Sequence, residues 1–173
     1  IYDSPLPPYK GFSACLAPQR RPAPDQAPTD AKAAALYPNG SRAALFAQQK
    51  GFENAVVCDP IGNVAEFASA NLMLAKDGRV ITPVANGTFL AGITRDRVIT
   101  LLREAGVVVE ERAVKPEELL QADEIFSTGN YGKVLPCTNY EGRDMQPGPL
   151  AQKARTLYFD WAAQHWRVLP KVG

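Results

Sequence analysis

Asn54-Ala55-Val56-Val57-Cys58-Asp59-Pro60-Ile61-Gly62-Asn63-Val64-Ala65-Glu66-Phe67-Ala68-Ser69, followed two residues later by Leu72-Met73-Leu74-Ala75-Lys76-Asp77-Gly78-Arg79-Val80-Ile81-Thr82, is the stretch that decides the fold class. Asn54 to Asp59 is an apolar strand, the Asp59 to Asn63 cluster is a turn, and Val64 to Ser69 returns as the partner strand. The second run repeats the form around Asp77-Gly78, a strong two-residue hairpin signal. Four strands are therefore expected between residues 54 and 82. Helix formers follow Pro38, which suits a first helical turn, and Gly51 stops them, so one helix is expected from Pro38 to Lys50. Thr94 to Ala105 carries Val98, Ile99, Leu101 and Leu102 on one helical face and ends at Gly106. Val107 to Val114 reads as a strand, Pro116 to Leu120 as a short helix, Glu124 to Ser127 and Lys133 to Thr138 as strands, and Leu150 to Trp161 as a closing helix. Strands with helices interspersed predict an α/β or mixed α+β domain. Upstream, Pro5, Pro7, Pro8, Pro18, Pro22, Pro24 and Pro28 leave little room for helix, and Phe12 to Leu16 reads as a short strand.

The chain has 173 residues, near the ~150 of a common single domain. With 46% apolar and 21% charged residues it has the composition of a folded core rather than a disordered chain. Lys and Arg number 19 against 18 Asp and Glu, a net charge of +1, so there is no electrostatic footprint for nucleic acid or an anionic membrane. A small-molecule partner is expected. Cys15, Cys58 and Cys137 form no CxxC pair and have no His cluster beside them, so neither a disulfide framework nor a metal site is suggested. Three unpaired thiols fit a reducing, cytoplasmic setting, and no apolar run reaches the roughly 18 residues of a membrane span. The chain opens at Ile1 and its first methionine is Met73, which reads as part of something longer.

Few residues carry chemistry. Lys32 lies among Ala31, Ala33, Ala34, Ala35 and Leu36; a lysine desolvated in such surroundings becomes a nucleophilic amine, whereas one at a helix end simply reaches for water. Glu66 stands in the apolar strand Val64 to Ala68. Facing inward it must have a cationic or hydrogen-bonding partner; facing outward it needs none. Gly92-Ile93-Thr94 precedes a helix, where unpaired N–H groups make an anion site suited to phosphate, unless Thr94 merely caps the helix. Ser127-Thr128-Gly129-Asn130 is a similar small-residue turn. Walker-type, GxGxxG, GxSxG and HExxH motifs are absent. His165, the only histidine, sits in the closing helix and reads as surface or packing.

The order of these elements resembles the fold-type IV (class IV) pyridoxal-phosphate enzymes, the branched-chain and D-amino-acid aminotransferase group. The resemblance runs from about Thr29 to Trp161. It rests on Asp30-Ala31-Lys32 with Tyr37 five residues on, Ala65-Glu66 followed by Ala70-Asn71-Leu72, Leu90-Ala91-Gly92-Ile93-Thr94-Arg95-Asp96, Ser127-Thr128-Gly129 ahead of Pro136, and Gln146-Pro147-Gly148-Pro149 leading into a helix. The 34-residue spacing from Lys32 to Glu66 agrees with the family's. The resemblance implies an antiparallel-strand pseudobarrel flanked by helices. It implies a proline-rich segment, 1–28, continuing from an N-terminal domain outside this sequence, and a cofactor-binding C-terminal domain, 29–173.

By resemblance, Lys32 would bond covalently to pyridoxal 5′-phosphate and then move the proton between substrate Cα and cofactor C4′. Glu66 would face the pyridine nitrogen and keep it protonated. Tyr37 would hydrogen-bond the phenolic oxygen, Leu90 would pack on the ring, and Ile93, Thr94, Gly129 and Asn130 would surround the phosphate. Asn130 stands where the family's aminotransferases carry a phosphate-binding threonine, Tyr131 replaces a small residue near the substrate, and Phe67-Ala68-Ser69 replaces a glycine-rich turn. Ser69 and Tyr131 are thus the substrate-side candidates. The activity implied is a transaminase moving an amino group from a branched-chain or similar amino acid to 2-oxoglutarate, in a homodimer. Aminodeoxychorismate lyase, D-amino-acid or (R)-amine transaminase, and a catalytically incomplete fragment that only binds cofactor remain alternatives.

Overall fold

The computed structural model describes residues 9–165. Its strands are β1 (Phe12–Arg20), β2 (Asn54–Cys58), β3 (Val64–Phe67), β4 (Asn71–Lys76), β5 (Arg79–Pro83), β6 (Val109–Arg112), β7 (Glu124–Gly129), β8 (Lys133–Tyr140) and β9 (Arg143–Asp144); its helices are α1 (Tyr37–Gln49), α2 (Ile93–Glu104), α3 (Pro116–Gln121) and α4 (Pro149–His165). Both expected hairpins form. At Asp77 and Gly78 φ is 50° and 74°, the positive values that a tight two-residue turn joining Lys76 to its partner Arg79 requires. The other turn is organised by buried Asp59, whose Oδ1 accepts from the Ile61 and Asn63 amides at 3.1 and 2.8 Å.

All nine strands join one sheet, in the order β3-β2-β1-β8-β7-β4-β5-β6 with β9 beside β8. The sheet curls until β3 comes beside β4 and β5. Inside the curl lies a core built from Val56, Phe67, Leu72, Leu74, Ile125 and Tyr140, with Leu119 of α3 closing one side. Outside it, Met73, Phe126 and Val134 pack under Val98 and Leu102 of α2 and Ala151 and Ala154 of α4. Ala43 and Ala47 of α1 lie against Cys15, Ala17, Ala55 and Val57. The small residues of α1 let it approach the sheet closely. Its end follows the expected form, with Gly51 at φ 83°.

The mixed α/β class and the curled sheet flanked by helices are as expected, and strand direction differs in part. The antiparallel barrel is a mixed sheet: β1 runs parallel to both β2 and β8, and β5 parallel to β6. The chain passes through α1 between β1 and β2, and through α2 between β5 and β6; a helical crossover returns the next strand in the same direction. β1 is longer than Phe12 to Leu16 and lies in the middle of the sheet, with Ala14, Cys15 and Ala17 buried. Pro18 ends no strand here because the ladder to β2 skips residues between Leu16 and Arg20. Pro5, Pro7 and Pro8 lie outside the described residues. Among the described residues no helix is long and apolar enough to cross a membrane, and no three His, Cys, Asp or Glu side chains converge as metal ligands.

Candidate active site

Glu66 faces inward. Across the β2–β3 ladder it pairs with Val57, which packs under α1, so both side chains stand on that face of the sheet. The carboxylate is 13% exposed and has the partner its burial demands: Arg21, 11% exposed, whose Nε lies 3.3 Å from Glu66 Oε1. Asn71 Nδ2 lies 3.4 Å from the other oxygen. Arg21 follows directly on β1 and is held by its own bonds, its amide to Cys58 O at 2.8 Å and its Nε to Thr88 O at 2.9 Å. Burial pushes Glu66 up from its ordinary 4.5 to about 7, and Arg21 only partly offsets this. The group is therefore poised: another positive charge opposite it would ionise it fully.

Asn71 opens β4 and connects this carboxylate to a second region. Its Nδ2 also donates to Leu90 O at 2.8 Å, and a Cβ on Gly92 would overlap its Oδ1. Gly92 has φ −76°, so glycine serves close approach there rather than an unusual backbone. Gly92 is also the N-cap of α2. No side chain caps this helix, and Thr94 is its second residue rather than its cap, so the expected phosphate cradle of N–H groups stands open. Ile93 is 90% exposed and Thr94 half-buried.

The end of β7 meets the same place. Thr128 pairs with Asn71, which puts both side chains on one face, and a Cβ on Gly129 would stand 3.3 Å from that of Ala70. Thr128 is fully buried, yet its Oγ1 has no hydrogen-bond partner in the protein. Such a hydroxyl is costly unless something fills its valence. Asn130 lies just beyond, exposed, its Oδ1 accepting from Lys133 Nζ at 2.9 Å; this leaves the amide nitrogen free to donate outward.

Lys32 lies in an exposed turn between Thr29 and the 3-10 turn Ala34–Leu36. The alanines that suggested desolvation do not bury it, because a tight turn spreads sequence neighbours over the surface. Its segment is nonetheless tied to the Leu90 loop: buried Thr29 donates from Oγ1 to Gly87 O. Tyr37, the first residue of α1, is 61% exposed and Tyr131 72% exposed. Leu90 is half-buried, while Ser69 is exposed and accepts from Asn54 Nδ2 at 3.2 Å. His165 is exposed at the end of α4 and stacks on Trp161. Hydrogen bonds, ladder pairs and packing thus gather Glu66, Leu90, Gly92, Thr128 and Gly129 around Asn71.

Arg21, Asn71's connecting role and Thr128's unpaired hydroxyl escaped the sequence reading. The demand for a cation beside an inward Glu66 was legible, but not which of the 19 Lys and Arg would meet it. Asn71 is an amide at the head of an apolar strand, a signal it shares with Asn54 and one that was passed over.

Comparison with known proteins follows this geometry. The family model for amino-transferase class IV matches residues 2–140. A probable branched-chain-amino-acid aminotransferase of Aquifex aeolicus is 36% identical over 155 residues, covering 87% of this chain and 50% of that protein. The branched-chain-amino-acid aminotransferase of Escherichia coli K12 is 31% identical over 153 residues, with the same coverage. Among solved structures, an aminotransferase from Brucella abortus bound to the cofactor PLP superposes with a TM-score of 0.91 at 50% identity, covering 92% of this chain and 57% of that one. The branched-chain amino acid aminotransferase of Thermobaculum terrenum in its PLP form superposes at 0.86 with 32% identity, covering 90% and 52%. The chain spans about half the length of these relatives. In sequence and in fold alike, it belongs to the class IV aminotransferases.

Proposed function

We propose that this chain is the large, cofactor-binding C-terminal domain of a pyridoxal-phosphate-dependent transaminase, acting on branched-chain or similar amino acids with 2-oxoglutarate as acceptor. The observation that carries the reading is the pairing of a poised, buried carboxylate at Glu66 with an open helix start at Gly92, joined through Asn71. A phosphorylated pyridine has complementary charge at its two ends, so these residues fit it. The unpaired hydroxyl of buried Thr128 beside the helix start supports the same fit.

In this reading Glu66 stands against the ring nitrogen, whose positive charge adds to that of Arg21 and holds the carboxylate ionised. When bound, the cofactor supplies a protonated ring that withdraws electrons from the substrate Cα. Lys32 holds the cofactor and moves the proton at Cα, Tyr37 donates to the phenolic oxygen, and Leu90 packs on the ring face. Ile93 and Thr94 give backbone N–H groups to the phosphate, with Gly129 allowing close approach and the Asn130 amide donating where a threonine is usual. Ser69 and Tyr131 border the substrate. The same reading makes the natural protein a cytoplasmic homodimer, with exposed Ile93, Tyr37 and Tyr131 covered in the assembled enzyme.

Borohydride reduction of the full natural protein with pyridoxal phosphate, followed by peptide mass mapping, tests the assignment. A pyridoxyl adduct on Lys32 is expected; its absence refutes the cofactor reading. Incubation with leucine and 2-oxoglutarate should then yield glutamate, and an adduct without glutamate would favour the lyase, whose case rests on Asn130 and Tyr131.

A further inference from the structure

We propose that Asn71 is a positioning residue that sets the ring-nitrogen end of the site against its phosphate end; the inference rests on the transaminase reading above. Two separate segments meet this one buried side chain, and a third pairs with its backbone. Its amide nitrogen carries two hydrogens and has two acceptors, Leu90 O at 2.8 Å and Glu66 Oε2 at 3.4 Å. Its Oδ1 rests where a Gly92 side chain would be, at the N-cap of α2. Its backbone is paired to Thr128 in the β4–β7 ladder, so the anchor is a central strand rather than a loop.

The division of labour at Glu66 follows. The Arg21 guanidinium lies as counter-charge against one carboxylate oxygen, its Nε–H being given to Thr88 O, while Asn71 donates to the other oxygen. Arg21 joins Glu66 to Thr88 O, two residues before Leu90, and stops short of the helix start. Among the hydrogen bonds of the described residues, those of Asn71 join Glu66 to Leu90 directly, and its Oδ1 stands against Gly92 at the helix start. A rigid aromatic ligand with a charge at each end is sensitive to the separation of the two groups that receive it, and small displacements of such groups reduce binding and rate together. The residue type is also specified. Aspartate would turn an acceptor toward a carbonyl and a second carboxylate toward Glu66. An aliphatic side chain would leave Leu90 O without its donor.

The test uses the full natural protein and pyridoxal phosphate as probe. Its affinity is measured in wild type, Asn71→Asp, Asn71→Ala, Glu66→Gln and the Asn71→Ala/Glu66→Gln double variant. Visible circular dichroism of the saturated proteins reports the orientation of the bound ring. Asn71→Asp should weaken binding by about 10- to 100-fold, the worth of a hydrogen bond involving a charged group, and more than Asn71→Ala. In the double variant the loss should be smaller than the product of the two single losses, because Asn71 acts through Glu66. The dichroic band should shrink in both Asn71 variants even at saturation. General loosening of the fold would give independent, multiplying losses and an unchanged band, and that result overturns the inference. If Asn71→Asp does not fold, Asn71→Ala with the double variant decides alone. Wild type that binds no pyridoxal phosphate overturns the transaminase reading and this inference with it; wild type that binds while Asn71→Asp binds equally well overturns this inference only.

Discussion

The two ends of the candidate site are built differently. Around Glu66 the groups are withdrawn from solvent and partnered: Arg21, Asn71, Thr88 O and Leu90 O form a connected set drawn from the end of β1, the start of β4 and the loop before α2. At the proposed outer end the groups are exposed: Lys32, Tyr37, Ile93, Asn130 and Tyr131 stand on turns or at the first residues of helices, with large apolar surface open. The inner end obtains its geometry from the sheet and the segments that follow directly on its strands. The outer end consists of groups that this chain holds in place but does not cover. An electrostatic site is stronger where water is excluded, and Glu66 and Arg21 at the inner end are largely withdrawn from water.

Replacing Lys32 breaks the comparison most severely. Lys32→Ala in the full natural protein is expected to lower transamination by at least about 10³-fold, within the range for a positioned acid–base group, while leaving stability nearly unchanged because the side chain is exposed. Steady-state kinetics with urea denaturation checks both. A large loss of stability would mean that the outer end also supports the fold.

The inner end should instead show itself through pH. The folded pKa of Glu66 is about 7 against 4.5 for the free side chain, so between these values the folded protein binds the extra proton. The stabilisation is present in full below about pH 4.5 and is lost as pH rises through about 7, an effect of roughly 3 kcal/mol. Cofactor-free wild type should therefore lose stability relative to Glu66→Gln as urea midpoints are followed from pH 4.5 to 8. A constant difference between the two would place Glu66 outside the buried set.

Gly92→Ala probes the junction of the two ends. The new methyl meets Asn71 Oδ1, and overpacking of this kind costs about 2 kcal/mol. Differential urea unfolding should show that loss, and a neutral result would mean that Asn71 and the helix start are free to separate. The smallest effect is expected at Thr128→Val, which removes a buried hydroxyl with no protein partner and should stabilise the cofactor-free protein by about 1 kcal/mol while weakening pyridoxal phosphate binding. Stabilisation without weaker binding would exclude the hydroxyl from the phosphate site.

The strands and helices were legible wherever one local signal dominated. Asp77-Gly78 specifies its hairpin because both residues tolerate positive φ, and Pro38 and Gly51 bracket α1 because one lacks an N–H and the other accepts the left-handed region. Strand direction was not legible. β1 lies parallel to β8 through a pairing of residues more than 120 positions apart, and no local pattern encodes that. Within the site, Lys32 shows the limit from the other side: its alanine neighbours suggested burial, but burial depends on what packs over a segment, and here that segment is a surface turn.

By itself the sequence determined the element order, the class IV motif series and the chemical types available: one lysine, one inward-capable carboxylate and one open helix start at the family's spacing. The element order follows from short-range rules of turns, caps and periodicity, whereas the motif series is carried by resemblance to the family. Only the tertiary structure decided that Glu66 faces inward, that Arg21 is its counter-charge, and that Asn71 joins it to Gly92. Each of those facts depends on the curl of the sheet, which brings together residues from β1, β3, β4 and the start of α2, and long-range packing of this kind has no signature in any single stretch of chain.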